Sequence, residues 1–405
     1  MIEQITIKNF KSFKDVTLKL GPLNIFIGTN ASGKSNFFDA LRVLQGIGYG
    51  FTLSEILDGK PKSATSEVWE GIRGGSVGAA FAFDDADKPT VFEVTGRLPD
   101  QHNTGFEFTI AFSAQEGHFR EERMSVSGKL IYDRARAPND KWSREFFVRF
   151  SDKDSGGMFS VDQDRPTWTQ MLRRGDPRSM GGRAERIEQV TRILADMQRI
   201  DPSPALLHAY SQAYEIKRMG EHGENFAALI RMICKDPETK EAYLSWLREL
   251  RPRDVDDVGT VSGAIGEPLL MMRERNHEWL APSLSDGTLR FAALAAAFFQ
   301  PDMPRVLTIE EIENGIHASR LRLLVELMRS QTAAGKTQAM VTTHSPVVLA
   351  WLKPEEYATT FYCKRDEETG ESRIVPLSEI PRLQEIVSKQ PISDLFAEGW
   401  LEEAL

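Results

Sequence analysis

Cysteine is nearly absent from this sequence: Cys234 and Cys363 stand far apart, and neither belongs to a Cys-x-x-Cys pair. A disulfide scaffold, a zinc ribbon and an iron–sulfur site are thereby excluded, and a reducing compartment fits. Long apolar runs are also missing. The longest, Phe291–Phe299, is about half of the ~20 residues that a bilayer span requires. The opening Met1-Ile2-Glu3-Gln4 lacks the basic-then-apolar order of a signal peptide, so the expectation is a cytoplasmic chain with no membrane association. Positive charge is in deficit, 50 Lys and Arg against 59 Asp and Glu for a net charge of −9, and global charge does not announce a nucleic-acid binder. His-Glu-x-x-His does not occur, which removes the zinc-protease reading.

What is present is a chain of 405 residues with 41% hydrophobic side chains, enough for a real core without staples and, at ~150 residues per domain, for two or three domains. Charge is distributed unevenly. Residues 118–192 hold 16 Lys and Arg against 12 Asp and Glu, whereas 355–405 hold 5 against 12. Ile5 and Ile7, then Val16, Leu18 and Leu20, alternate with polar residues as strands do. Leu23-Asn24-Ile25-Phe26-Ile27 suits a strand buried on both faces, and Phe37, Phe38, Leu41 and Leu44 carry helical spacing. From about Ala64 to Phe150, short alternating segments punctuated by Gly, Asn and Asp predict an antiparallel sheet, with Asp84-Asp85-Ala86-Asp87 as a turn. Thr167–Leu250 reads as helical, with Ile187, Val190, Ile193, Leu194 and Met197 on one face and Asp201-Pro202-Ser203-Pro204 as the stop. Afterwards strands at Arg305–Ile309, Ala339–Thr343 and Thr359–Cys363 alternate with helices at Leu289–Phe299 and Arg320–Gln331.

Four short segments carry chemistry. Gly28-Thr29-Asn30-Ala31-Ser32-Gly33-Lys34-Ser35 matches G-x-x-x-x-G-K-[ST] between a buried strand and a helix. Phosphate oxygens need several backbone N–H groups at once, which a glycine-permissive loop presents at a helix N-terminus. In this pattern Lys34 reaches the β- and γ-phosphates and the Ser35 hydroxyl ligates Mg²⁺. Val306–Ile309 ends in Glu310-Glu311, one acid for the metal and one for the attacking water. Adjacent strand residues face opposite ways, which permits that division. Ser283-Leu284-Ser285-Asp286-Gly287-Thr288 places a serine and a glycine at a helix start, either a second anion site or a plain N-cap. Thr342-Thr343-His344-Ser345-Pro346 ends a further buried strand, where His344 reaches toward a γ-phosphate or serves as a structural residue.

The order of these segments along the chain resembles the ABC-type ATPases of the RecF/SMC-like branch, and among them the compact ATPases related to OLD and anti-phage defence proteins. Ile5–Phe13, Asn36 and Ala40 share that resemblance; the middle of the chain resembles the branch in layout, with a looser match at Asp201-Pro202-Ser203 and Gly223-Glu224-Asn225. It implies an α/β fold: a P-loop ABC-type ATPase head formed by both chain ends, with an inserted antiparallel β region and a helical lobe. The expected segments are 1–60 and 263–365 for the head, 61–160 for the β-rich insertion, 161–262 for the helical insertion and 366–405 for an acidic extension.

The resemblance assigns Gly28, Asn30, Gly33, Lys34, Ser35 and Asn36 to ATP, and Ser35 and Glu310 to Mg²⁺. Glu311 becomes the catalytic base and His344 the switch histidine. Ser285, Asp286 and Gly287 form the signature that contacts ATP held by a second subunit, and Asn314-Gly315 the subunit-crossing loop. Glu310 departs from the usual Asp by one methylene, and Ile312 and Ala318 replace common prolines. For the glutamine that senses the γ-phosphate, Gln163 and Gln170 are the candidates. A homodimer closing around ATP follows, acting on duplex DNA in repair or phage defence through Arg134, Arg136, Arg173, Arg174 and Arg178. The alternative is an ATP-driven sensor or scaffold that controls a separately encoded effector, a nuclease or toxin, since the residues after Cys363 are too few for a nuclease domain. A membrane-transporter subunit shares the motif order but not the long insertion.

Overall fold

The computed structural model describes residues 1–61, 69–81, 88–136, 146–150, 161–174, 180–250 and 255–404; the Asp84–Asp87 turn and Arg178 lie outside them. Along the chain run β1 (Ile2–Phe10), β2 (Phe13–Lys19), β3 (Leu23–Ile27), β4 (Thr90–Arg97), β5 (Gly105–Ser113), β6 (His118–Val126), β7 (Lys129–Arg136) and β8 (Phe146–Arg149). There follow β9 (Met197–Ile200), β10 (Val255–Ser262), β11 (Pro268–Glu274), β12 (His277–Leu280), β13 (Val306–Ile309), β14 (Gln338–Thr343), β15 (Thr360–Arg365) and β16 (Ser372–Pro376). They belong to two compact units, one of residues 1–21, 28–197 and 363–375, the other of 22–27, 198–362 and 376–405. The expected 1–60 segment is thus shared between both.

In the first unit an antiparallel sheet runs β2-β1-β4-β5-β6-β7-β8. β1 and β2 fold on themselves through Phe10↔Phe13, and the other edge of β1 takes β4, with Ile5 opposite Val94 and Ile7 opposite Phe92. Inward aromatics line one face: Phe10 meets Phe92 edge-on at 5.4 Å and Phe92 stacks on Phe112 at 5.9 Å, an arrangement that adds specific attraction to simple burial. The helix Lys34–Tyr49 packs on the helix Arg183–Ala195. Gly48 permits that approach, because a Cβ there would stand 2.4 Å from the Ala195 nitrogen.

In the second unit β15, β3, β14, β13 and β9 follow one another across a second sheet, to which β16 is the sixth strand beyond β15. β3, β13 and β14 are buried along their whole length, as strands covered on both faces must be. β14 is parallel to β3, with Thr343 opposite Ile27, and to β13, with Val341 opposite Ile309. The helices Asp286–Ala296 and Ala318–Ala333 contribute to the same hydrophobic core through residues such as Leu289, Phe291, Leu321 and Leu324. Asn24, polar within β3, donates its amide to the Ala339 carbonyl at 3.2 Å, which satisfies a group that burial would otherwise penalise. A small sheet, β10-β11-β12, completes the unit.

One expected element ends early. Ile187, Val190, Ile193 and Leu194 do form the buried face of a helix, but it stops at Ala195 with Asp196 as its C-cap. Met197 begins β9 instead, and Asp201–Pro204 leads from that strand into the short helix Pro204–Leu207. β9 exists because β13, over 100 positions away in sequence, offers an unpaired edge. Local periodicity does not register that partner.

Candidate nucleotide site

The carboxyl ends of three parallel neighbours, β3, β14 and β13, lie along one edge of their sheet. The next residues in the chain are Gly28, His344 and Glu310 respectively. In open α/β sheets this is the edge where ligands bind.

From Ile27 the chain enters the glycine loop. Ala31 (φ 63°) and Gly33 (φ 106°) both take positive φ, and the helix starts at Lys34 with Asn36 and Phe37 donating back to the Gly33 carbonyl. Both motif glycines are required by contact, and Gly33 by its positive φ as well. A Cβ on Gly28 would stand 2.2 Å from the Cys363 carbonyl oxygen, and one on Gly33 2.6 Å from the Ser372 hydroxyl. Thr29, Asn30 and Ala31 are exposed at the crest, whereas Lys34 is buried. Its ammonium donates to the Gly28 and Thr29 carbonyls, each at 2.7 Å. Asn36 turns away to donate to the Ser12 hydroxyl at 2.7 Å. Burial raises the Cys363 thiol to about 12 despite the opposing charge of Lys34, so it is inert at neutral pH. The sequence reading passed over Arg73, which donates to the Ser35 carbonyl and to Asp39, and Lys11, which pairs with the same Asp39 at 2.5 Å.

At the end of β13 the two acids diverge. Glu310 leans toward β9, where Arg199 Nη2 lies 3.2 Å from its Oε1 while Arg199 Nη1 holds Glu221 at 3.2 Å. Glu311 takes φ 49°, a left-handed backbone costing a non-glycine residue about 1–3 kcal/mol. Its N–H donates to the Thr342 hydroxyl at 2.9 Å, and Asn314 donates to its Oε2 at 2.6 Å. His344 Nδ1 lies 3.9 Å from Glu311 Oε1. Glu313, absent from the expected set, accepts the His344 backbone N–H at 2.7 Å and stands 3.4 Å from its Nε2. Its signal was the third acid within Glu310-Glu311-Ile312-Glu313. His344 Nδ1 and Glu313 Oε2 are buried without a hydrogen bond, an arrangement that native proteins keep where a ligand or water completes the set.

Ser285 caps the helix Asp286–Ala296, accepting from the Thr288 N–H at 3.3 Å. Ser285 and Asp286 are exposed, and Asp286 Oδ1 meets His208 Nε2 at 2.8 Å. Gly287 packs on the Asn314-Gly315 turn, since a Cβ there would stand 2.7 Å from the Gly315 carbonyl. Arg290, buried one turn further on, donates to the Pro202 carbonyl at 2.7 Å and to Asp201 at 3.2 Å. The Ser285–Gly287 segment, the Gly315 turn and the Asp201-Pro202 segment are therefore knitted together within the second unit.

Two expectations are corrected. Gln170 is buried and closes a two-way bond with Asp162, accepting its N–H at 2.7 Å and donating to its carbonyl at 3.0 Å, so it is not free to sense a phosphate; Gln163 joins the same segment through its carbonyl, which accepts from Phe119. Arg134 is no DNA contact. It is 1% exposed and stands opposite Glu122 in the β6–β7 pairing. Arg173 is exposed as required. Among the described residues no group of three or more His, Cys, Asp or Glu is placed to hold a metal ion, and no helix is long and apolar enough to cross a membrane.

A glycine loop after a central parallel strand, with paired acids closing the strand two places across, is the framework of a P-loop nucleotide hydrolase. Two family models agree. Residues 1–151 match the family described as an AAA ATPase domain, and 245–350 match the AAA domain described as putative AbiEii toxin, Type IV TA system. An ATP/GTP phosphatase of Helicobacter pylori is 22% identical over 391 residues, 91% of this chain and 93% of that protein. The DNA replication and repair protein RecF of Lactococcus lactis is 46% identical over 44 residues, 11% of this chain and 12% of its own. Among solved structures, an Smc head bound to the C-winged helix domain of ScpA has a TM-score of 0.48 at 13% identity, covering 92% of this chain and 96% of that one. The SMC head domain from Thermotoga maritima has 0.46 at 13%, covering 93% and 98%. The chain carries matches to AAA ATPase domains toward both ends and resembles the ABC-type ATPases of the RecF/SMC-like kind.

Proposed function

We propose that this ATPase works with Mg²⁺ and that two copies close around two ATP molecules. The observation that carries the reading is the glycine loop, whose two glycines admit no side chain and whose buried lysine is held on loop carbonyls. On binding, Lys34 exchanges those carbonyls for phosphate oxygens. The sequence motifs supply a hydroxyl on Ser35 and a carboxylate on Glu310 for a hydrated magnesium ion; within the second unit, Glu313 Oε2 and His344 Nδ1 are buried without a hydrogen bond. Mg²⁺, when bound, neutralises charge developing on the β- and γ-phosphate oxygens. Glu311 acts as the base. Asn314 holds its Oε2, so Oε1 is the atom that takes the proton of the attacking water, and His344 lies beside that oxygen. Ser285, Asp286 and Gly287, exposed or half-buried at a helix start, serve the nucleotide of the other copy, and closure is a population shift driven by the γ-phosphate.

The decisive experiment is light scattering after size exclusion. Glu311→Gln with ATP should run at twice the monomer mass, and Lys34→Ala should not change mass with ATP. Equal mass with and without ATP for Glu311→Gln refutes the dimer.

The dimer's target is proposed as duplex DNA, in repair or phage defence. The basic excess of residues 118–192 supports this, with Arg123 and Arg173 exposed. The burial of Arg134 shrinks that surface and favours the second reading, a sensor or scaffold governing a separately encoded effector. Duplex binding that ATP stimulates and that falls between about 50 and 200 mM salt supports the first. No binding at low salt, together with a stoichiometric protein partner, supports the second.

A further inference from the structure

Glu310 carries its carboxylate one methylene further from the backbone than an aspartate would. The extra methylene brings an extra torsion, so the carboxylate sweeps a wider arc unless something fixes it. β9 supplies that restraint. Arg199 projects from the strand next to β13 and places Nη2 3.2 Å from Glu310 Oε1. Its other arm, Nη1, lies 3.2 Å from Glu221 Oε1, and the Glu221 carbonyl accepts the Asp201 N–H at 2.8 Å, so the residue that anchors the guanidinium is itself fastened to the end of β9. Arg199 and Glu310 are partly buried, at 36% and 20% side-chain exposure, where an ion pair is screened less than in open water.

We propose that Arg199 is a positioning residue for Glu310: it holds one carboxylate oxygen and so presents the other to the hydrated magnesium ion. Carboxylates at metal sites are commonly oriented by an outer hydrogen bond, whose loss costs about 10–100-fold in metal affinity. A guanidinium suits the task because its planar fork spans two carboxylates at once, which the point charge of a lysine does not. The inference rests on the nucleotide reading above and adds the residue that makes a glutamate serviceable at this position.

The test is fluorescent-ATP binding titrated with magnesium, which needs no turnover. Arg199→Ala should raise the magnesium concentration for half-maximal binding by about 10–100-fold, while binding of the nucleotide in EDTA stays within about twofold. Arg199→Lys should lie between the two. Should Arg199→Ala fold poorly, by circular dichroism, Arg199→Gln keeps the bulk and is expected to behave as the alanine variant does. Glu310→Asp withdraws the carboxylate from Arg199 and should show a defect of its own, to which Arg199→Ala then adds little, because the two act as one unit. A magnesium requirement in Arg199→Ala within twofold of the native protein overturns the proposal, as does full multiplication of the two defects. Lys34→Ala separates the premises. If it loses nucleotide while Arg199→Ala keeps its magnesium response, only the role of Arg199 fails; if it binds nucleotide normally, the nucleotide reading fails and Arg199 with it.

Discussion

Arg134→Met tests the assignment of a fully buried cation on β7. Arg134, Glu122 and Tyr132 are at most 1% exposed. The Tyr132 hydroxyl donates to Glu122 Oε1 at 2.6 Å, and the backbone N–H groups of Thr167 and Trp168 reach the same carboxylate at 2.5 and 3.3 Å. Burial lowers Arg134 to about 10, with Glu122 opposing the drop; it remains a cation at neutral pH, and that cation neutralises the carboxylate. Methionine fills the space and leaves a buried anion with hydrogen bonds but no counter-charge. Breaking such a pair from one side costs about 3–5 kcal/mol, against a total stability of about 5–15. At about 1.4 kcal/mol per factor of ten, amide hydrogen exchange across β6 and β7 should accelerate by roughly two to three orders of magnitude. The companion Glu122→Gln/Arg134→Met removes both charges and should recover most of the protection, because a buried pair replaced as a whole is often neutral. A DNA-contacting arginine behaves in the opposite way: stability holds and the salt dependence of binding becomes shallower. Protection in Arg134→Met within about tenfold of the native protein, equivalent to under ~1.4 kcal/mol, refutes the buried-pair account, and so does a double variant no better than the single.

The same carboxylate makes stability depend on pH in a definite direction. Desolvation raises Glu122 above its ordinary range, outweighing the bonds from Tyr132 and Thr167. Its contribution is therefore fully present below the unfolded value near ~4.3 and lost as pH rises through the folded one. Urea midpoints from pH 4 to 8 should show the native protein losing ground to Glu122→Gln as pH increases, and the reverse slope refutes the direction. Gly28→Ala pushes a methyl toward the Cys363 carbonyl, 2.2 Å away; ATP binding should weaken by about tenfold or more, or about 1.4 kcal/mol, and calorimetric affinity equal to the native value would show that the loop yields.

Local chemistry was legible where the determinants are contiguous. Gly28–Ser35 carries its own glycines, its lysine and its flanking strand and helix, and Leu23–Ile27 declares burial on both faces. The paired acids after β13 and the serine cap at Ser285 are likewise short-range features. What escaped was set by partners distant in sequence. Met197 continues the i+3 and i+4 spacing from Leu194 and Ile193 by coincidence, and only the free edge of β13 makes it a strand. Arg134 was read as exposed because arginines usually are. Parity along β7 nevertheless contained the answer: Arg134 lies two residues beyond Tyr132, hence on the same face, and Glu122 keeps the same relation to Met124 on β6. A charged residue in phase with buried aromatics calls for an opposite charge in phase on the neighbouring strand.

Phase also explains why two consecutive glutamates hold different environments. Glu310, the first residue past β13, meets the arginine of the neighbouring strand β9. The positive φ of Glu311 then breaks the strand, and the Thr342 hydroxyl secures the turn by accepting the Glu311 N–H. That reversal brings Glu311 against Asn314 and His344, which strand geometry alone would not achieve. A glycine at 311 would relax the backbone and remove the carboxylate proposed as the base; an acid at 311 carries the strain that aims it. Within this chain the two acids are thus separated by backbone conformation before any ligand arrives, and the longer side chain at 310 is tolerated because its neighbour on β9 confines it. The departure from aspartate and the presence of Arg199 are two halves of one local solution, one residue at the end of a central strand and the other on the edge strand beside it.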